Sequence, residues 1–104
     1  MYLDLGLPMD LEYDILLCGE QGAPYREQAV EILQSIPCSY SHSQVINDLI
    51  AMEKVSLLDI KWFNAIMNNI IKFTPSQNTG LYLNCLIIVV SFLLFKNNKR
   101  MEAT

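Results

Sequence analysis

Charge is scarce in this chain. Only 17 % of its 104 residues are Asp, Glu, Lys or Arg, whereas 52 % are hydrophobic. A typical soluble domain carries about 25 % charged residues, so the deficit points to a membrane segment or to a surface meant for a partner. Histidine occurs once, at His42. The three cysteines, Cys18, Cys38 and Cys85, are odd in number and lack CxxC spacing, which argues against a disulfide framework or a zinc site. There is no GxGxxG, Walker loop, HExxH or GxSxG, and no Asn-x-Ser/Thr sequon. The acidic start MYLDLGLPMD has no basic leader, unlike a secretory signal or a mitochondrial presequence.

The little charge present is unevenly placed. Residues 1–80 hold ten acids and four bases, a net of −6, whereas residues 81–104 hold three bases and one acid. An acidic body repels phosphate backbones, so nucleic-acid binding is not expected.

The length allows one small domain. Gly6 and Pro8 interrupt the first residues, and 11–17 read as a short strand or extended docking segment, with a turn at 19–23. Pro24 suits the first position of a helix. Tyr25, Ala29, Ile32, Leu33 and Ile36 then fall at helical spacing until Pro37. Ser41 or Ser43 can cap a second helix with the stripe Val45, Ile46, Leu49 and Ile50. Ser56 to Asp59 resembles a capping box. The helix behind it, through Phe73, is apolar around most of its circumference and keeps a narrow polar strip at Lys61, Asn64, Asn68 and Lys72. A helix of that kind is central in a bundle or touches a partner or lipid. Thr74-Pro75 ends it.

The fold class expected is therefore mainly α. An acidic extended segment and turn (1–23) precede a three-helix body over about 24–73, bounded at residue 74. A linker (75–80), a hydrophobic segment (81–95) and a basic tail (96–104) follow. Fifteen uncharged residues span roughly 22 Å as a helix, against a hydrocarbon core of about 30 Å. Snorkelling of Lys96 and Lys99 and local thinning can offset part of the difference. The residues expected to meet lipid are Leu81, Tyr82, Leu86, Ile87, Ile88, Val89, Val90, Phe92, Leu93, Leu94 and Phe95, with Tyr82 and Phe95 near the interfaces. The layout resembles that of tail-anchored proteins, with a cytosolic body, one late span and a short basic tail. It is similar to outer mitochondrial membrane anchors, and an endoplasmic reticulum location is also open. The alternative is a soluble helical interaction module, or a fragment of a larger protein, whose apolar run is core or non-native.

Chemistry is poorly represented. His42 near Cys38 could suggest a Cys–His pair, but a polar loop histidine before a helix cap is the simpler reading. Glu20 inside the GxxG of residues 19–22 would repel a phosphate. No catalytic residue, metal ligand, cofactor or small-molecule substrate is inferred. Residues 12–17, EYDILL, resemble the acidic dileucine sorting signal, the tyrosine-based adaptor signal and the autophagy-receptor docking motif. Each sets an aromatic and a leucine into two pockets. Tyr13, Leu16 and Leu17 are therefore candidate partner-binding residues. Trp62, Phe63, Ile66 and Ile70, on the over-apolar third helix, are a second set. The function expected is a small, non-catalytic, membrane-anchored adaptor that binds a protein partner or a second copy.

Overall fold

The computed structural model describes residues 7–36, 41–74 and 79–102. Among these the fold is mainly α, with no strand: α1 (Met9–Gly22), a 3₁₀ turn (Ala23–Tyr25), α2 (Arg26–Gln34), α3 (His42–Ala51), α4 (Leu57–Phe73) and α5 (Thr79–Glu102).

Helix α1 occupies the stretch whose sequence reads as extended. Its logic lies in the residues it buries. Leu11, Ile15, Cys18 and Gly22 recur every three or four positions on one face. Asp10 and Glu12 in the first turn suit the positive end of the helix. The Glu12 N–H donates to the Pro8 carbonyl at 2.9 Å, closing the first turn. Pro24 sits in the 3₁₀ turn rather than opening α2 directly.

Serine caps organise the next two helices. The Ser41 Oγ accepts from the Gln44 N–H. Ser56 and Asp59 form a full capping box: the Asp59 N–H donates to Ser56 Oγ at 3.2 Å, and the Ser56 N–H donates to Asp59 Oδ2 at 3.1 Å. Helix α3 stops differently. Glu53 adopts φ 57°, its N–H donates to the Ile50 carbonyl, and the Lys54 N–H donates to the Leu49 carbonyl. This is a Schellman stop with glutamate where glycine is favoured. Left-handed backbone costs an L-residue roughly 1–2 kcal/mol. Glu53→Gly is therefore expected to raise stability by about 1 kcal/mol, read as a higher urea midpoint at unchanged slope.

The core runs along α5. Helix α1 makes the most extensive contact with it, followed by α2, the 3₁₀ turn and α4, while α3 packs on α4. Cys85, Leu86, Val89, Val90, Leu93 and Leu94 are buried, together with Ile15, Ala29, Leu33, Val45, Leu49, Phe63, Met67 and Ile70 from the other helices. The β-branched run 87–90 is helical here because tertiary packing overrides its weak helix propensity. Where α1 crosses α5, the backbones nearly touch. A Cβ added to Gly22 would lie 2.7 Å from the Phe92 nitrogen and 2.8 Å from the Ser91 carbonyl carbon, whereas one on Gly19 would meet Ile88 at 3.6 Å. Contacts thus advance in the same direction along both helices. The Ser91 hydroxyl, buried at this crossing, donates to the Ile87 carbonyl at 2.7 Å.

Candidate functional site

The segment expected to meet lipid lies wholly within α5. The helix is long and apolar enough to cross a membrane, with a mean hydropathy of 1.9 over its most apolar 18 residues. Within Leu81–Phe95, however, Asn84 alone is exposed, and the other residues are buried or half-buried. The basic residues that follow continue the helix to Glu102, and two of them, Lys96 and Arg100, reach the start of α4.

There they meet Asp59, which is 1 % exposed. Lys96 Nζ lies 3.0 Å from Asp59 Oδ1, and Arg100 Nη1 lies 2.6 Å from Oδ2. Arg100 Nη2 also donates to the Asn97 side-chain oxygen at 3.2 Å and reaches the Lys54 carbonyl at 3.4 Å. Burial alone would raise the Asp59 pKa. The Ser56 N–H, Lys96 and Arg100 together outweigh burial and hold the carboxyl below its ordinary range. The ammonium of Lys96 also stands 5.9 Å from the Trp62 ring and 5.7 Å from that of Phe92. Trp62 packs on Phe92 at 5.3 Å, and Tyr25 meets Phe95 edge-on at 6.4 Å. The tail is thus tied to α4 and to the 3₁₀ turn by charge and by rings.

The two sets of candidate partner-binding residues part company. Phe63, Ile66 and Ile70 are buried core residues, and Trp62 is half-buried under Lys96. No partner reaches Phe63, Ile66 or Ile70 while α4 is packed. Tyr13 and Leu17, by contrast, are 65 % and 40 % exposed, and Leu16 is half-buried between them and the core. Met9, four residues before Tyr13, is 78 % exposed. Met9, Tyr13 and Leu17 therefore form an apolar stripe along the outer face of α1. Leu57 and Leu58 at the start of α4 are also exposed.

Catalytic equipment is sparse among the described residues. His42 lies 6.2 Å from the Phe63 ring, and its suggested companion Cys38 lies outside the described residues. Burial, aided by the Asp14 carboxylate, pushes the Cys18 thiol up to about 12, so it stays protonated and unreactive. No group of three His, Cys, Asp or Glu among the described residues could hold a metal ion.

Sequence reasoning missed two features. Lys96 and Arg100 are four apart and share a helix face, a spacing that signals a joint contact but not with which acid. Glu12 is 4 % exposed, and its Oε1 makes no hydrogen bond. Nothing in the sequence marks this acid apart from its neighbours. Comparison with protein-family models, with curated proteins and with solved structures finds no match to this chain. Its class rests on its own architecture: a small helical bundle with an apolar spine.

Proposed function

We propose that this chain is a non-catalytic helical interaction module. It docks a protein through the outer face of α1 and uses α5 as the spine of its own bundle. One observation carries this reading: the helix apolar enough for lipid buries one face against α1, the 3₁₀ turn, α2 and α4, while Met9, Tyr13 and Leu17 face outward on α1. Aromatic and leucine side chains on an exposed helix face are what a helix-in-groove or helix-on-helix contact uses as anchors.

A second reading is a membrane-anchored adaptor, with the body in the cytosol and α5 as a single span at the mitochondrial outer membrane or the endoplasmic reticulum. The 24-residue length and hydropathy of α5 favour it, as does the fact that 39 % of its most apolar window, and no more, is buried. In that state α5 would leave the bundle, and Phe63, Ile66 and Ile70 would be uncovered for a partner.

The readings separate in one experiment. A photo-crosslinking residue is placed at Leu17, or at exposed Lys61 as control, in the full chain, and membranes are extracted at alkaline pH. The module reading expects release of the chain and a discrete protein adduct from position 17 alone. Retention in the membrane pellet would favour the anchor instead. No adduct, or equal adducts from both positions, would remove α1 as the docking face.

A further inference from the structure

Helix α4 opens with two adjacent leucines that the bundle leaves bare. Leu57 is 72 % exposed and Leu58 76 %. Large apolar side chains exposed side by side mark a contact surface. The bases of the chain gather around them. Leu58 lines an open hollow of about 360 Å³ together with Phe95, Lys96, Lys99 and Arg100. Lys61 is exposed, follows the leucines by three and four residues, and shares their helix face. Arg100 also reaches the Lys54 carbonyl at 3.4 Å. This corner thus holds Lys54, Lys61, Lys96, Lys99 and Arg100, five of the seven bases in the chain. Its acids are Glu53, Asp59 and Glu102, three of eleven. One carboxylate, Asp59, answers both Lys96 and Arg100. Lys99 and Glu102 pair at 3.7 Å with both side chains 61 % exposed, so solvent screens them. Lys61 forms no ion pair among the described residues.

We propose that this corner docks the intact bundle on an anionic lipid surface. Leu57 and Leu58 would enter the boundary between headgroups and acyl chains, where interfacial apolar side chains lie about 5–10 Å deep. Lys61 and Lys99 would lay their stems along the same boundary and hold their ammonium groups at the lipid phosphates. Charge complementarity selects the occupant. The chain as a whole has a formal charge of −4, but attraction to a charged membrane fades within about 8 Å, so the groups nearest the lipid decide. Each base held there strengthens binding about fivefold, and the uneven charge turns this corner toward the surface. Two leucines on one helical turn form a small wedge. A stable protein partner covers about 800 Å², whereas lipid needs no matching face. Docking of this kind requires α5 to stay in the bundle, as the module reading has it, and uses none of the outer face of α1.

The test is flotation of the full chain with vesicles of phosphatidylcholine alone, or of phosphatidylcholine and phosphatidylserine mixed three to one. Two double variants are compared with wild type: Leu57→Gln with Leu58→Gln, and Lys61→Glu with Lys99→Glu. All four side chains are exposed, and glutamine matches leucine in helix propensity, so both variants should melt as wild type does. Lys96 and Arg100 are left in place because they hold Asp59. Leu17→Gln removes an exposed leucine elsewhere and serves as control. The expected result is binding to the mixed vesicles only, reversed by high salt, and weakened at least tenfold in each double variant but not in the control. Absence of binding to mixed vesicles would overturn the proposal. So would equal losses in the control and the leucine pair, or binding that ignores either double variant. These outcomes leave the α1 docking face untouched. Salt-resistant binding to both kinds of vesicle would mean that α5 has left the bundle for lipid, and would overturn this inference and the module reading together.

Discussion

Ending the chain at Gly80 is expected to leave residues 1–80 without a cooperative unfolding transition. Helix α5 supplies six buried apolar side chains, Cys85, Leu86, Val89, Val90, Leu93 and Leu94. It is also the shared neighbour of α1, the 3₁₀ turn, α2 and α4. Burying a leucine or valine is worth about 1.5–3 kcal/mol, so the loss is on the order of 10 kcal/mol. That equals the whole net stability of an ordinary domain. The truncated chain should retain some far-ultraviolet helical signal, bind a hydrophobic dye and show a broad urea profile. A monomeric, sharply melting 1–80 chain would refute the role of α5 as spine. It would also restore the view in which a self-sufficient body precedes a membrane anchor.

Asp59→Ala is expected to cost about 3 kcal/mol. Loss of a helix cap alone is worth about 1 kcal/mol. Breaking a buried ion pair costs about 3–5 kcal/mol, reduced here because Lys96 and Arg100 are partly exposed and water can solvate them. For a domain of this size the melting temperature should fall by roughly ten degrees or more. The same carboxylate sets a pH dependence. Its pKa is below the ordinary value in the folded state, so between the two values the unfolded chain binds more protons. The stabilisation is complete above about pH 4, the unfolded range, and is lost as pH falls through the lower folded value. Asp59→Asn keeps an oxygen for the Ser56 N–H and removes the charge, so it should flatten this acid limb. An acid limb unchanged in Asp59→Asn would place the proton uptake elsewhere.

What could be read in the sequence was local. The Ser56–Asp59 capping box, the Ser41 cap and the helices behind them follow from short-range donor and acceptor geometry and from apolar spacing within a few turns. The helix at Met9–Gly22 was hidden behind Gly6 and Pro8, although Leu11, Ile15 and Cys18 already carried helical spacing. The fate of the apolar run was not local at all. Fifteen uncharged residues look the same whether lipid or neighbouring helices cover them, and the difference lies in contacts with residues far along the chain. Of the candidate site residues, Tyr13, Leu16 and Leu17 stand at or near the surface because the α1 faces divide as a helix divides them. Phe63, Ile66 and Ile70 are enclosed because α4 has partners on several sides.

The crossing of Gly22 on Ser91 also bears on how fast the chain can reach this state. The two residues are separated by 69 positions, and their helices run the same way. Helices form locally within about a microsecond, but this crossing requires closing a very long loop before any of its burial is returned. Most small helical proteins fold quickly because their contacts are near in sequence. The search of α1 for α5 is therefore the expected slow event, and the folding rate should be nearer that of a mixed α/β domain than that of a hairpin-linked bundle.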